Sequence, residues 1–232
     1  MPNVTVKAYT AVELYHVITK ANLSIKEGLQ KLIDAGMGAI PGGGAEIFDE
    51  HIRNQICPDK PNAEQWLETH EIAHSLGLKT NATILYGHIE TLEHRFEHLN
   101  RLRQLQDQTN GFNAFIPLKY HNKNNQLGEI VKTQSSIVED MKMIALARLF
   151  LDNIPHVKAY WPMMGKQNAA LALNFGADDL DGTITDSTKI YALAGALEQK
   201  PTLTLDELYK LVEMAGFVAV ERDTNYNEIN NK

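Results

Sequence analysis

The sequence predicts an α/β protein built from parallel βα units, and three observations carry that prediction. Six short apolar runs with strand character lie near Val4 to Tyr9, Met37 to Ile40, Thr80 to Leu85, Phe112 to Leu118, His156 to Trp161 and Ala177 to Leu180. Segments of helical periodicity separate them, and such alternation implies parallel strands joined by crossover helices. Helix signals fall between the runs. Ser24 with Glu27, Ser136 with Glu139 and Thr204 with Glu207 are capping-box pairs, while Gly36, Gly77, Asn110-Gly111, Gly176 and Gly216 follow helical segments as stops.

Taken in order, the first run is entered by Val4 with no helix before it to cover it, so its open edge favours self-association or pairing with a missing amino-terminal half. The second leads into a glycine loop. The third, Thr80 to Leu85, is apolar enough for a strand buried on both faces and runs into Tyr86, Gly87, His88 and Glu90. After it, Leu92, Phe96, Leu99, Leu102 and Leu105 recur every three or four residues, so a helix lays one stripe on the sheet. Lys119 to Thr133, rich in asparagine and lysine, reads as a surface excursion after the fourth run, and Asn225 to Lys232 as a frayed end. No linker divides the chain, so residues 1–232 are expected to form a single domain. Six units suit a doubly wound sheet, and equally a β/α barrel lacking its first two units.

The composition narrows the function. At 232 residues and 44% apolar content the chain can bury a sizeable core. No apolar run is long enough for a bilayer and the start lacks the regions of a secretory signal, so the cytoplasm is the expected compartment. One cysteine, Cys57, can neither form an internal disulfide nor alone hold zinc or an iron-sulfur cluster. A net charge of -7 argues against nucleic acid, and the basic patch from Arg95 to Arg103 is interleaved with Glu97 and with leucines. A small molecule is the expected partner.

Ligand-binding groups collect beyond the carboxyl ends of parallel strands, which directs attention to three loops. Tyr86, His88 and Glu90 follow the third run. Pro41-Gly42-Gly43-Gly44-Ala45-Glu46 follows the second: Gly43 and its neighbours let a backbone approach a ligand, and Glu46 can accept hydrogen bonds from ribose hydroxyls, the lesser reading being a tight strand-to-helix turn. Asp178, Asp179 and Asp181 stand at the sixth, suited to capping or to a polar substrate. His70-Glu71-Ile72-Ala73-His74 matches the His-Glu-x-x-His zinc motif, yet sits on a connecting helix away from the strand ends, with no third ligand singled out. His94 and His98 read as a solvated helix face, and Cys57, before Pro58, as a buried or idle thiol. No Gly-x-Ser-x-Gly elbow is present.

Several stretches together carry a resemblance: Pro41 to Phe48, Ile56 to Lys60, Thr80 to Thr91, Phe115 to Leu118, Ala177 to Thr183 and Glu221 to Thr224. They resemble the aminofutalosine synthase family, radical S-adenosylmethionine enzymes of the futalosine route to menaquinone, over nearly the whole chain. The resemblance implies a partial TIM-like radical S-adenosylmethionine (β/α) barrel, with the six runs as its third to eighth strands. The family's Cys-x-x-x-Cys-x-x-Cys loop and its glycine-rich turn have no counterpart, so the chain resembles a carboxy-terminal portion, and alone it is expected to be inactive for lack of 4Fe-4S ligands. Thr83 to Glu90 resembles the motif Gly-x-Ile-x-Gly-x-x-Glu, keeping Gly87 and Glu90 but with Thr83 and Leu85 at its first Gly and its Ile. By resemblance, Gly43, Glu46, Tyr86, Gly87 and Glu90 would face S-adenosylmethionine, and Asn81, Thr83, His88, Asp179 and Asp181 the substrate. Arg95 and Lys119 are cations placed to meet its carboxylates. Glu46, Tyr86, His88 and Asp181 should therefore surround one hollow. The implied reaction adds a 5'-deoxyadenosyl radical to 3-[(1-carboxyvinyl)oxy]benzoate, giving 6-amino-6-deoxyfutalosine. The alternatives are dehypoxanthine futalosine cyclase within the family, a zinc hydrolase using His70, Glu71 and His74, and a non-catalytic half-barrel subunit.

Overall fold

The strand-helix alternation folds into one parallel sheet, seen in a computed structural model that describes residues 4–182 and 202–229. Its strands are β1 (Val6–Lys7), β2 (Met37–Ile40), β3 (Lys79–Tyr86), β4 (Phe112–Lys119), β5 (His156–Ala159) and β6 (Asp179–Leu180). Each pairs in parallel with the next, giving the order β1-β2-β3-β4-β5-β6. That order separates the two architectures left open by the sequence. A doubly wound sheet reverses its order at a switch point, whereas a sequential order keeps every crossover turning one way and curls the sheet into a barrel wall. The fold is a partial (β/α) barrel, six strands where a closed one has eight.

Among the described residues the helices are α1 (Ala11–Lys20), α2 (Ile25–Asp34), α3 (Glu50–Ile56), α4 (Ala63–Ser75), α5 (Leu92–Thr109), α6 (Ile137–Phe150), α7 (Trp161–Met164), α8 (Lys166–Leu173) and α9 (Leu205–Met214). Their starts are chemically fixed. Ser24 and Thr204 close reciprocal capping boxes with Glu27 and Glu207, and Thr10 does the same with Glu13. Ser136 accepts from the Glu139 amide, but the Glu139 carboxylate turns to Lys142 instead of back to the cap. A short 3-10 turn, Gln126–Glu129, lies in the excursion after β4.

The core lies between sheet and helices. Ala82, Ile84, Phe112 and Phe115 pack on Trp66, Leu99 and Leu102, and a second cluster sets Met37 and Ile40 against Leu14, Ile18 and Leu29. Each large apolar side chain enclosed this way contributes about 1.5–3 kcal/mol. Two expectations about α5 need correction. Leu92 and Phe96 stand 53% and 38% exposed, so the stripe begins later. His98, read as solvated, is fully buried: its ring stacks on Phe48 at 3.9 Å and its Nε2 lies 2.9 Å from the Thr83 carbonyl, to which it donates. The carboxyl tail also differs from a frayed end over 225–229, since Arg222 bridges to Glu228 and Tyr226 donates to Asp179. Thr183 and 230–232 lie outside the described residues.

Candidate functional site at the strand ends and in the barrel lumen

Side chains alternate along a strand, so contacts on β3 decide which groups face the lumen. Thr80 accepts from or donates to His70 and His74 of α4, and Tyr86 donates to Asp140 of α6, so the even positions face the helices. Asn81, Thr83 and Leu85 therefore face inward. Thr83 donates to the Gly42 carbonyl at 2.6 Å, which ties the glycine loop to β3. Gly42 packs so closely there that a Cβ would sit 2.5 Å from the Asn81 carbonyl oxygen, so only glycine fits.

The rim forms where the loops after β2 and β3 meet. The Leu85 amide donates to the Glu46 carbonyl at 2.8 Å, and Glu46 holds a positive φ of 50°. Lys60 donates to one Glu46 carboxylate oxygen at 2.5 Å. Gly43 lies beneath, its carbonyl accepting from the Trp66 indole. Across the rim the Glu90 side chain is wholly enclosed and accepts from the amides of Gly87 (2.6 Å) and His88 (2.8 Å) and from Arg95 Nε (2.8 Å). Glu90 thus shapes the loop, with Gly87 supplying the turn at φ 87°. The His88 ring is also enclosed: Nε2 donates to the Leu85 carbonyl, while Nδ1 has no hydrogen-bond partner 3.1 Å from Glu90. Burial pushes the His88 pKa down, against the pull of Glu90.

Two residues expected at the ligand lie on the helix face of the sheet, and a third is already paired. Tyr86 and its register partner Lys119 lie on the helix face of the sheet. Both donate to Asp140, a buried carboxylate on α6, at 2.9 and 2.7 Å, and Ser135 adds a third bond at 2.9 Å. Arg95 is likewise spent on Glu90. A strand buried on both faces, with polar groups at both parities, hides its own register, and a shift of one residue exchanges the faces. Asp140, missed in the sequence, braces the ends of β3 and β4. Asp140→Asn should cost about 1–3 kcal/mol by weakening three bonds to a buried group, read as a lower urea midpoint. An unchanged midpoint would remove that role.

The lumen itself holds a charged cluster. Lys158 of β5 donates to Asp181 at 2.7 Å and lies 3.4 Å from Asp179. Arg222 forks onto both Asp179 oxygens at 2.7–3.0 Å, and Tyr226 donates to the same carboxylate. The tail tyrosine stacks flat on His156 at 3.9 Å. Lys7 reaches in from β1. Of the residues predicted by sequence, the lumen gathers Asn81, Thr83, Asp179 and Asp181; Lys7 and Lys158 belong to no motif, and Arg222 entered only within the Glu221 to Thr224 stretch of the resemblance, with no role assigned to it.

The His70 and His74 pair has a packing role. His70 is fully buried against Trp66, ring centroids 3.9 Å apart, and both imidazoles bond the Thr80 hydroxyl. Glu71 is exposed, and among the described residues no three His, Cys, Asp or Glu side chains converge to hold a metal. Cys57 is buried at the end of α3, its thiol pKa pushed up by that burial. No described helix is long and apolar enough to cross a membrane.

A curled parallel sheet with a glycine loop and enclosed carboxylates at its strand ends defines a barrel-type small-molecule site. Comparison with known proteins places it more closely: residues 109–231 match the model of the CofH/MqnC C-terminal region, and the chain belongs to that family. It is 47% identical to aminodeoxyfutalosine synthase of Thermus thermophilus over 98% of its own length and 61% of that protein. Against aminodeoxyfutalosine synthase of Streptomyces coelicolor the identity is 43%, covering 97% of this chain and 60% of the relative. The chain thus spans about three fifths of the curated relatives it matches. A crystal structure of methylornithine synthase (PylB) superimposes with a TM-score of 0.64 at 15% identity, covering 86% of this chain and 57% of that one, which supports the expected partial barrel fold.

Proposed function

We propose that this chain supplies the ligand-facing wall of an aminofutalosine synthase. In this reading the rim receives the adenosyl part of S-adenosylmethionine, and the lumen receives 3-[(1-carboxyvinyl)oxy]benzoate. The observation that carries the proposal is the 47% identity to an aminodeoxyfutalosine synthase over nearly the whole chain. The rim chemistry supports it: Lys60 occupies one Glu46 oxygen, leaving the other to accept from a ribose hydroxyl. The enclosed loop from Gly87 to Glu90 is held rigid by its own carboxylate, as a positioning element should be.

An iron-sulfur cluster does not fit the residues of this chain. Such a cluster takes cysteine thiolates, and the one thiol here is buried at a helix end. No turnover is therefore expected from the isolated chain. What the chain's residues do is bind and orient the two molecules and exclude water from the space between them.

The test is a chimera that joins this chain to the part of the Thermus thermophilus protein it does not match, assayed anaerobically with reductant and both substrates. Formation of 6-amino-6-deoxyfutalosine, identified by mass, is the expected result. A chimera that cleaves S-adenosylmethionine, releasing methionine, but never adds the 5'-deoxyadenosyl group to the enol ether would overturn the assignment. In the same chimera Glu46→Ala should weaken S-adenosylmethionine binding about tenfold, the loss of one charge-assisted hydrogen bond. Unchanged affinity would remove Glu46 from the site.

A further inference from the structure

We propose that Lys7 is a carboxylate-binding residue in the lumen, positioned by Asn81, and that it takes one carboxylate of the aromatic substrate. The proposal rests on the reading above for the identity of that substrate. Its geometry is independent of it.

Lys7 points inward from β1 across β2, where its register partner is the small Ala39, and reaches β3. With the Asn81 amide oriented to satisfy both its polar groups, Oδ1 accepts from Lys7 Nζ at 2.9 Å. An ammonium carries three donors, so two remain free to turn toward a ligand. The charges around it do not balance. Among the described residues three cations, Lys7, Lys158 and Arg222, share the lumen with two carboxylates, Asp179 and Asp181. Lys158 pairs with both carboxylates and Arg222 forks onto Asp179, while among the described residues no carboxylate lies within ion-pair distance of Lys7. The cations suggested by the sequence, Arg95 and Lys119, are already neutralised by Glu90 and Asp140. The Lys7 residue as a whole is exposed, with only its ammonium end taken in beside the buried Asn81, so a ligand can reach it along the stem.

The field around Lys7 points the same way. Burial, then the charge of Lys158 and further on Arg222, outweigh the pull of Asp181 and Asp179 and bring its pKa down to about 8. An arriving carboxylate reverses that balance, so binding near pH 8 should draw in a proton.

The probe is isophthalate, a benzene dicarboxylate, titrated calorimetrically into the whole chain at pH 8 in two buffers of different ionisation enthalpy. The expected result is binding with uptake of roughly half a proton, because about half of the Lys7 side chains are neutral at a pH near their pKa. Lys7→Arg should bind isophthalate without proton uptake, since guanidinium does not titrate there. Lys7→Met should lose at least about tenfold in affinity. Equal affinity and equal uptake in Lys7→Met, or a Lys7 Cε resonance unmoved by millimolar isophthalate, would overturn the proposal. The chimera assay reports separately on the reaction: isophthalate bound through Lys7 with no product from the chimera would leave this site standing and remove the synthase reading.

Discussion

Arg53→Met should destabilise the protein by about 3–5 kcal/mol, the largest loss expected from any single side chain on the rim. Arg53 is 2% exposed, and its guanidinium donates to four backbone carbonyls: Gly44, Ala45, Ile47 and Pro61. Three of these flank Glu46, whose positive φ is unfavourable for a residue with a Cβ and persists only where its neighbours are held. Methionine fills much of the volume but leaves those carbonyls enclosed without donors, each costing about 1–3 kcal/mol before the loop relaxes toward water. Lysine should recover little, since one nitrogen cannot replace a planar fork spanning both sides of the loop. Urea unfolding of both variants is the measurement, and a shift below about 0.5 kcal/mol for Arg53→Met would show that the loop holds itself. Because Glu46 is seated by the same bonds, surviving folded Arg53→Met should also bind S-adenosylmethionine less well in the chimera.

Arg53 also marks the boundary of what the sequence makes legible. The alternation of strands and helices, the capping boxes and the position of the glycine loop depend on local chemistry, so they can be read directly. The strand order is nonlocal, which is why a doubly wound sheet and a barrel stayed equivalent until pairing was known. Faces were harder still. On β3 every residue from Thr80 to Ile84 is buried and polar groups stand at both parities, so polarity alone does not tell Asn81 and Thr83, which face the lumen, from Thr80 and Tyr86, which face the helices. An arginine in a helix looks solvated unless the carbonyls it will serve are known, and those of Gly44 and Pro61 lie eight or nine residues away. Glu46 and Glu90 were visible through motif and strand end; Lys7, Asp140 and Lys158 became visible only when distant strands were brought together.

Acid should unfold this protein earlier than its carboxylates alone would require, because buried neutral histidines must charge. His98 is fully enclosed, and desolvation lowers its pKa from 6.5 to about 3, despite the bond to the Thr83 carbonyl. His74 is brought to about 4 by burial and by Lys79, and His70 is pushed well below its ordinary value by burial and by His74. The sign follows from proton linkage: each folded pKa lies below the unfolded one, so the unfolded chain binds more protons between them. Stability is therefore full above about pH 6.5 and is lost as pH falls through the window toward 3. For His98 the loss by pH 4 is on the order of 3 kcal/mol, and for the partly exposed His74 somewhat less after allowance for solvent. His98→Gln keeps a donor for Thr83 and cannot titrate, so its unfolding free energy should fall less steeply between pH 6.5 and 4 than that of the native chain. Parallel slopes would mean that His98 gains its proton equally well folded and unfolded, and that the stacked ring against Phe48 is more open to water than its contacts allow.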